Sequence, residues 1–350
     1  MGPHVLVART DSEGDVLLAG PAVRAVAAHA KRVTLLCGPR GEAAARLLPG
    51  VDDVVMWRVP WIDPEPPPVA REDVLDLVDR LAALDLDEGL ILTSFHQSPL
   101  PLALVLRMAG VSRLAATSTD YPGSLLDVRH RIGDDEHEVE RSLSLAARLG
   151  YELPDGDEGR LAVRREGEHP VFRGDGVIVH PGASVPARAW SAQRHRALVG
   201  ALAERGHAVT VTGGPGETEL TRFVAGDDNA HVVDLGGRTT LADLAEVIAG
   251  ARVLVSGNTG PAHLAAAVGT PVVSLYAPTV PAARWRPWGV PHVLLGDQGI
   301  PCAGCRARAC PFEDHPCLDV VTVEDVIDAV EALTCELPTA NREPESRVAA

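Results

Sequence analysis

Short aliphatic runs alternate with amphipathic stretches through most of the chain, and that alternation predicts strand–helix units feeding parallel sheets. In the first half, strands are expected at 5–8, 33–36, 54–56, 90–92 and 114–116, with helices over 16–29, 71–84 and 99–109. The strand candidates are nearly unbroken runs of aliphatic residues, as strands covered on both faces require. A polar, glycine-containing stretch at about 150–176 separates these from a second series. That series has strands at 177–180, 208–213, 232–235, 253–256 and 272–276, and helices over 191–205, 241–249 and 261–268. Residues 57–70, WRVPWIDPEPPPVA, read as a proline-rich loop, residues 293–295 as one more apolar run, and 322–334 as a last helix. The expected fold is α/β, with domains over 1–165 and 166–335 and a disordered tail over 336–350.

Composition fits that picture. A length of 350 residues suits two domains of ordinary size. AVILMFWYC residues make up 46% of the chain and aromatics only 3%, so the core must be aliphatic and alanine-rich. The formal net charge of −16 repels polyanions and argues against a nucleic-acid partner. Lys31 is the sole lysine, in a helix-to-strand connection, which excludes a P-loop NTPase, a protein kinase and a pyridoxal-phosphate enzyme. No apolar run reaches the roughly 18 residues of a membrane span, since Pro21 and Arg24 interrupt the longest. The start of the chain is unlike a signal peptide, so a cytoplasmic location is expected, with transient contact to a membrane surface left open. The six cysteines are then expected to be reduced or metal-bound.

Neither G-x-G-x-x-G after a strand nor G-x-S-x-G occurs, which disfavours a dinucleotide-binding dehydrogenase and an ordinary α/β-hydrolase. Chemistry is left to loops at the carboxyl ends of strands. RTDSEGDV at 9–16 brings Asp15 to a helix N-terminus, where it is either a cap or a base for an attacking hydroxyl. HPGASVPARAW at 180–190 offers Arg188 as a forked, permanently charged donor for phosphate oxygens. TGGPGET at 212–218 places Glu217 either to accept from ribose hydroxyls or to complement a helix dipole. In SGNTGPAHLAAAVGTP, 256–271, Thr259 and Gly260 can present a hydroxyl and N–H groups to a diphosphate, with His263 one turn further on.

Together these loops resemble glycosyltransferase family 9, the ADP-heptose:lipopolysaccharide heptosyltransferases and their relatives, from Val5 to about Leu333. The S-x-G-D-V pattern stands here as Ser12, Glu13, Gly14, Asp15 and Val16. D-T-G-P-x-H followed by an alanine-rich helix and G-x-P stands as Asn258 to His263, then Gly269 and Pro271. The resemblance implies a GT-B architecture, two Rossmann-like domains facing across a cleft. The N-terminal domain would take the acceptor and the C-terminal domain the nucleotide-sugar donor. It further implies Asp15 as general base, Arg188 at the donor phosphates in place of the family's lysine, and Glu217 on the ribose. Thr259, Gly260 and His263 would hold the diphosphate. Asn258 replaces an aspartate, so an amide that both donates and accepts stands where a carboxylate would grip the donor sugar.

The expected activity is inverting transfer of a heptose or related sugar from an ADP-heptose-like donor. The acceptor hydroxyl belongs to a glycan, a lipid-linked molecule or a small molecule, as in lipopolysaccharide core or cell-envelope biosynthesis. The resemblance also implies that no cofactor is required, because arginine and a helix N-terminus would meet the leaving charge. The alternatives are a sugar-nucleotide epimerase of the same fold and a non-catalytic nucleotide-sugar-binding protein. Within a Cys-rich loop over 301–317, Cys302, Cys305, Cys310 and Cys317 are spaced so that four thiolates could close a structural zinc site, the other reading being ordinary thiols.

Overall fold

The computed structural model describes residues 2–133, 135–165, 176–227 and 229–335. The expected tail lies outside these residues, as do residues 166–175, where the expected domain boundary falls. Two parallel six-stranded sheets are present. The first comprises β1 (His4–Ala8), β2 (Arg32–Cys37), β3 (Asp53–Met56), β4 (Glu88–Ile91), β5 (Arg113–Thr117) and β6 (Val128–His130), in the order β3-β2-β1-β4-β5-β6. The second comprises β7 (Val177–His180), β8 (Val209–Val211), β9 (Val232–Asp234), β10 (Val253–Gly257), β11 (Val272–Leu275) and β12 (His292–Leu295), in the order β12-β11-β10-β7-β8-β9. Counted from its own first strand, each sheet has the order 3-2-1-4-5-6 of a Rossmann domain, so the halves are two copies of one topology. Central strands are buried along their length: β1, β7, β10 and β11 have no exposed residue.

In this order the strand succession reverses between β1 and β4 and between β7 and β10, and ligands bind at the carboxyl ends of such neighbours. The loops there are the ones that carry Asp15 and, in the second sheet, Arg188 and Asn258 to Gly260.

The helix expected over 16–29 is two helices, Glu13–Leu18 and Gly20–Ala27. Pro21 explains the break, because it is suited to the first turn of the second helix, where its missing N–H is not needed. The first helix starts one turn earlier than expected and brings Gly14 against the helix Gly260–Val268 of the other domain. A Cβ on Gly14 would lie 2.9 Å from His263 Cδ2 and 3.3 Å from Gly260 Cα, so only glycine lets the two helix ends approach. Behind this contact one apolar cluster runs through both domains, joining Val16, Leu17, Ala44 and Ala45 to Leu244, Ala245, Ile248, Ala262 and Ala265. The last helix, Val323–Cys335, buries Val326, Ile327, Val330 and Leu333 in the core of the second domain. No helix among the described residues is long and apolar enough to cross a membrane.

Candidate active site

Between the sheets lies a cleft of about 780 Å³, lined by the loops at both switch points. On its N-terminal wall, Ser12 precedes the helix Glu13–Leu18, and Asp15 reaches back from the first turn to accept from the Ser12 hydroxyl at 2.7 Å. Beneath it lies Arg9, 1% exposed at the end of β1. Its Nη2 donates to Asp15 Oδ1 at 2.9 Å and to Ser94 Oγ at 3.1 Å. The same nitrogen sits 3.2 Å from Asp11 Oδ2, and Nη1 sits 3.2 Å from Glu138 Oε2. Asp11 is further held by Ser94 Oγ at 2.8 Å and Gln97 Nε2 at 2.7 Å. A third donor to Asp15 comes across the cleft, from Trp285 Nε1 to Oδ1 at 3.2 Å.

The three carboxylates share one cation, and their pKa values are displaced in opposite directions. Burial alone would raise Asp15, but the Arg9 guanidinium and the hydrogen bonds from Ser12, Trp285 and Arg9 outweigh it and hold the pKa at about 2. Asp11 and Glu138 are pushed up, because burial dominates over their share of Arg9. Asp15 is therefore ionised throughout the physiological range and fixed in direction. It can take a proton only as an attacking hydroxyl acidifies during bond formation.

On the C-terminal wall, Arg188 closes the turn Pro186–Arg188 after β7. Its Nε donates to Thr279 Oγ1 at 3.1 Å and its Nη1 to the Asn258 carbonyl at 3.4 Å, so the fork is set before any ligand arrives. Thr259 is the N-cap of the helix Gly260–Val268 and makes no side-chain cap bond. Its own N–H donates to the Gly257 carbonyl at 2.9 Å, the Ala262 N–H donates to the Thr259 carbonyl at 3.1 Å and Pro261 has no N–H, which leaves the Gly260 N–H and the helix dipole to an anion. The Asn258 amide is anchored by Nδ2 donating to the Ala277 carbonyl at 3.2 Å, and its buried Oδ1 has no hydrogen-bond partner. His263 is also buried with Nδ1 unpartnered, and burial depresses its pKa to about 4, so it is neutral at pH 7 and can donate one N–H. Glu217 Oε2 accepts from the Gly214 N–H at 2.7 Å and lies 3.8 Å from His180 Nε2. A Cβ on Gly182 would fall 2.0 Å from Glu217 Oε1, so that glycine leaves room for the carboxylate.

All seven expected site residues, Asp15, Arg188, Glu217, Asn258, Thr259, Gly260 and His263, line this cleft. The structural zinc site that the cysteine spacing left possible is not there. Among the described residues no group of three or more His, Cys, Asp or Glu side chains could hold a metal ion. Cys317 is buried and its thiol is pushed up to about 11, by burial first and then by the neighbouring thiols, whereas Cys305 is exposed. Zinc requires thiolates converging on one point, and these four do not. The loop instead forms part of the cleft wall: Gly304 N–H donates to the Pro278 carbonyl, Arg306 N–H to the Thr279 carbonyl, and Ala187 N–H to the Arg308 carbonyl.

The cleft is also lined by Asp11, Trp285, Arg306 and Arg308, which no motif in the sequence singles out. Phe95, after β4, is flanked by the guanidinium groups of Arg284 at 4.4 Å and Arg306 at 4.6 Å, which ties the N-terminal loops to the opposite domain. The charge of Arg9 and Asp11 beside a strand marked a buried polar cluster, but hydropathy patterning counts such residues as solvated.

The chain matches glycosyltransferase family 9 (heptosyltransferase) over residues 96–315. It is 31% identical over 210 residues to lipopolysaccharide heptosyltransferase 3 of Escherichia coli, covering 56% of this chain and 59% of that protein. To lipopolysaccharide heptosyltransferase 1 of Pseudomonas aeruginosa it is 36% identical over 187 residues, covering 51% of this chain and 50% of that one. The chain thus spans little more than half the length of the curated relatives it matches. A family 9 glycosyl transferase from Veillonella parvula superposes with a TM-score of 0.77 at 18% identity, over 96% of this chain and 98% of that one. The E. coli ADP-heptose lipopolysaccharide heptosyltransferase II gives 0.72 at 20% identity, over 96% and 99%. The fold is GT-B.

Proposed function

Because the chain belongs to glycosyltransferase family 9, we propose that it is an inverting glycosyltransferase moving a heptose or related sugar from an ADP-heptose-like donor to an acceptor hydroxyl. The acceptor is a glycan or lipid-linked molecule, as in lipopolysaccharide core or cell-envelope assembly, and the reaction takes place in the cytoplasm. The N-terminal domain, 1–165, takes the acceptor and the C-terminal domain, 166–335, the donor.

Donor binding follows from the C-terminal wall. Arg188, the Thr259 hydroxyl and the Gly260 N–H hold the diphosphate, His263 donates one N–H to it, and Glu217 accepts from the ribose hydroxyls. Asn258 Oδ1 accepts from a hydroxyl of the donor sugar. The acceptor oxygen attacks the anomeric carbon from the face opposite the diphosphate, and the bond to the leaving phosphate oxygen breaks with its electron pair. Asp15 takes the hydroxyl proton. Arg188 and the helix N-terminus, fixed in advance, meet the charge that develops on the leaving group.

The observation that carries this reading is the placement of an ionised carboxylate, Asp15, opposite an arginine and an open helix N-terminus in one cleft. Asp15→Asn is expected to abolish sugar transfer across an acceptor panel while calorimetry shows ADP binding within about two-fold of wild type. Wild-type turnover by that variant would remove Asp15 from the mechanism.

A further inference from the structure

A carboxylate has about four lone-pair directions, and those of Asp15 are already spoken for. Oδ1 accepts from Arg9 Nη2 and Trp285 Nε1, and Oδ2 accepts from the Ser12 hydroxyl at 2.7 Å and, at 3.4 Å, from the Ser12 backbone N–H. An acceptor hydroxyl that gives its proton to Asp15 must therefore displace one of them. Arg9 is buried under the loop and tied to two other carboxylates, and Ser12 belongs to the same helical turn. Trp285 alone among these donors belongs to the opposite domain. It lines the cleft, is part-exposed, and its ring rests near Phe95 with centroids 5.8 Å apart.

We propose that the Trp285 indole N–H holds the place of the acceptor hydroxyl on Asp15, and so keeps water from being activated against bound donor until the acceptor displaces it. Trp285 is then a positioning residue that selects acceptor over water. The suppressed reaction is defined. A water oxygen bonds to the anomeric carbon, and the bond from that carbon to the phosphate oxygen breaks with its electron pair on the nucleoside diphosphate. One water proton goes to Asp15 and then to solvent, leaving a free sugar. A carboxylate with a vacated lone pair can hold such a water, whereas one filled by an indole N–H cannot.

This inference rests on the proposed transferase activity. Its test uses the full chain with ADP-heptose and no acceptor, reading ADP release from wild type, from Trp285→Phe, and from a variant with benzothienylalanine at 285. The last keeps the bicyclic shape and removes only the N–H, so it remains informative if the smaller ring disturbs folding. Both variants are expected to hydrolyse donor at least about ten-fold faster than wild type, the scale of one hydrogen bond to a charged group. Transfer should also change its pH profile. Asp15 faces Arg9 and Asp11 on its own wall, Glu138 beneath, and His263 and Arg188 across the cleft. Losing one donor to the charged form moves its pKa upward, and with it the acid limb of the kcat/KM profile for the acceptor, which reports the enzyme before the acceptor displaces the indole. A residue that merely supports the cleft would lower hydrolysis and transfer together, with no such displacement. Donor hydrolysis in both variants at or below the wild-type rate overturns the inference while leaving the transferase reading intact. A wild-type protein that neither binds nor turns over nucleotide-diphosphate sugars overturns both.

Discussion

Arg9→Met tests the electrostatic design of the site, because it keeps most of the side-chain volume and removes the one cation shared by Asp11, Asp15 and Glu138. Each carboxylate has an oxygen within 3.2 Å of the guanidinium. Breaking a buried ion pair by removing one partner costs about 3–5 kcal/mol, since the other partner stays buried and uncompensated. Here Asp11 and Asp15 lose their cation while Glu138 keeps Arg141 at 3.2 Å, so with two carboxylates left uncompensated a loss at the upper end is expected at pH 7. Without Arg9, burial raises the pKa of all three above the unfolded value of about 4. The native state of the variant then binds more protons than the unfolded state, and its stability falls as pH rises. Urea unfolding of both proteins at pH 7 and pH 5 reads this directly, with the gap between wild type and variant narrowing at pH 5. A gap under about 1 kcal/mol, or one that is the same at both pH values, would refute the reasoning. In the wild type the sign for Asp15 is opposite. Its pKa, lowered from 3.8 to about 2, contributes stability that is present above pH 3.8 and lost as pH falls through 2.

Two glycines make further predictions. Gly14→Ala places a methyl 2.9 Å from His263 Cδ2 between two helix ends, so thermal unfolding should show about 1–3 kcal/mol of overpacking loss; an unchanged melting temperature would mean the interface is looser than described. Gly182→Ala forces the Glu217 carboxylate away from the Gly214 N–H. Calorimetry with ADP should then show affinity falling about ten-fold with little change in stability, and undiminished affinity would count against Glu217 as a ribose ligand.

What could be read in the sequence follows from burial. β1, β7, β10 and β11 are aliphatic because helices cover both faces, and each lies where its run predicts. β6, Val128–His130, was invisible, since it is a short edge strand of mixed polarity. The helix Glu138–Ala147 was missed for a related reason: Glu138 and Arg141 are buried by ion pairing, and pattern reading assigns such residues to solvent. The loop motifs were legible because their chemistry is local, a strand end, a small-residue turn and a helix start. Arg9 and Trp285 act through partners brought in by the fold, the latter from 270 positions away. The four cysteines show the converse, since regular spacing says nothing about whether side chains converge.

The central claim, that the C-terminal wall of the cleft holds a nucleotide-diphosphate sugar, is tested most directly by thermal unfolding with ADP-, GDP-, UDP- and TDP-sugars, each on wild type and on Arg188→Ala. At about 100 times its Kd a ligand adds roughly 2.7 kcal/mol of apparent stability. The account predicts such a shift with the ADP-sugar, and its loss or sharp reduction in Arg188→Ala. No shift with any of the four, or one of equal size in the variant, would contradict it.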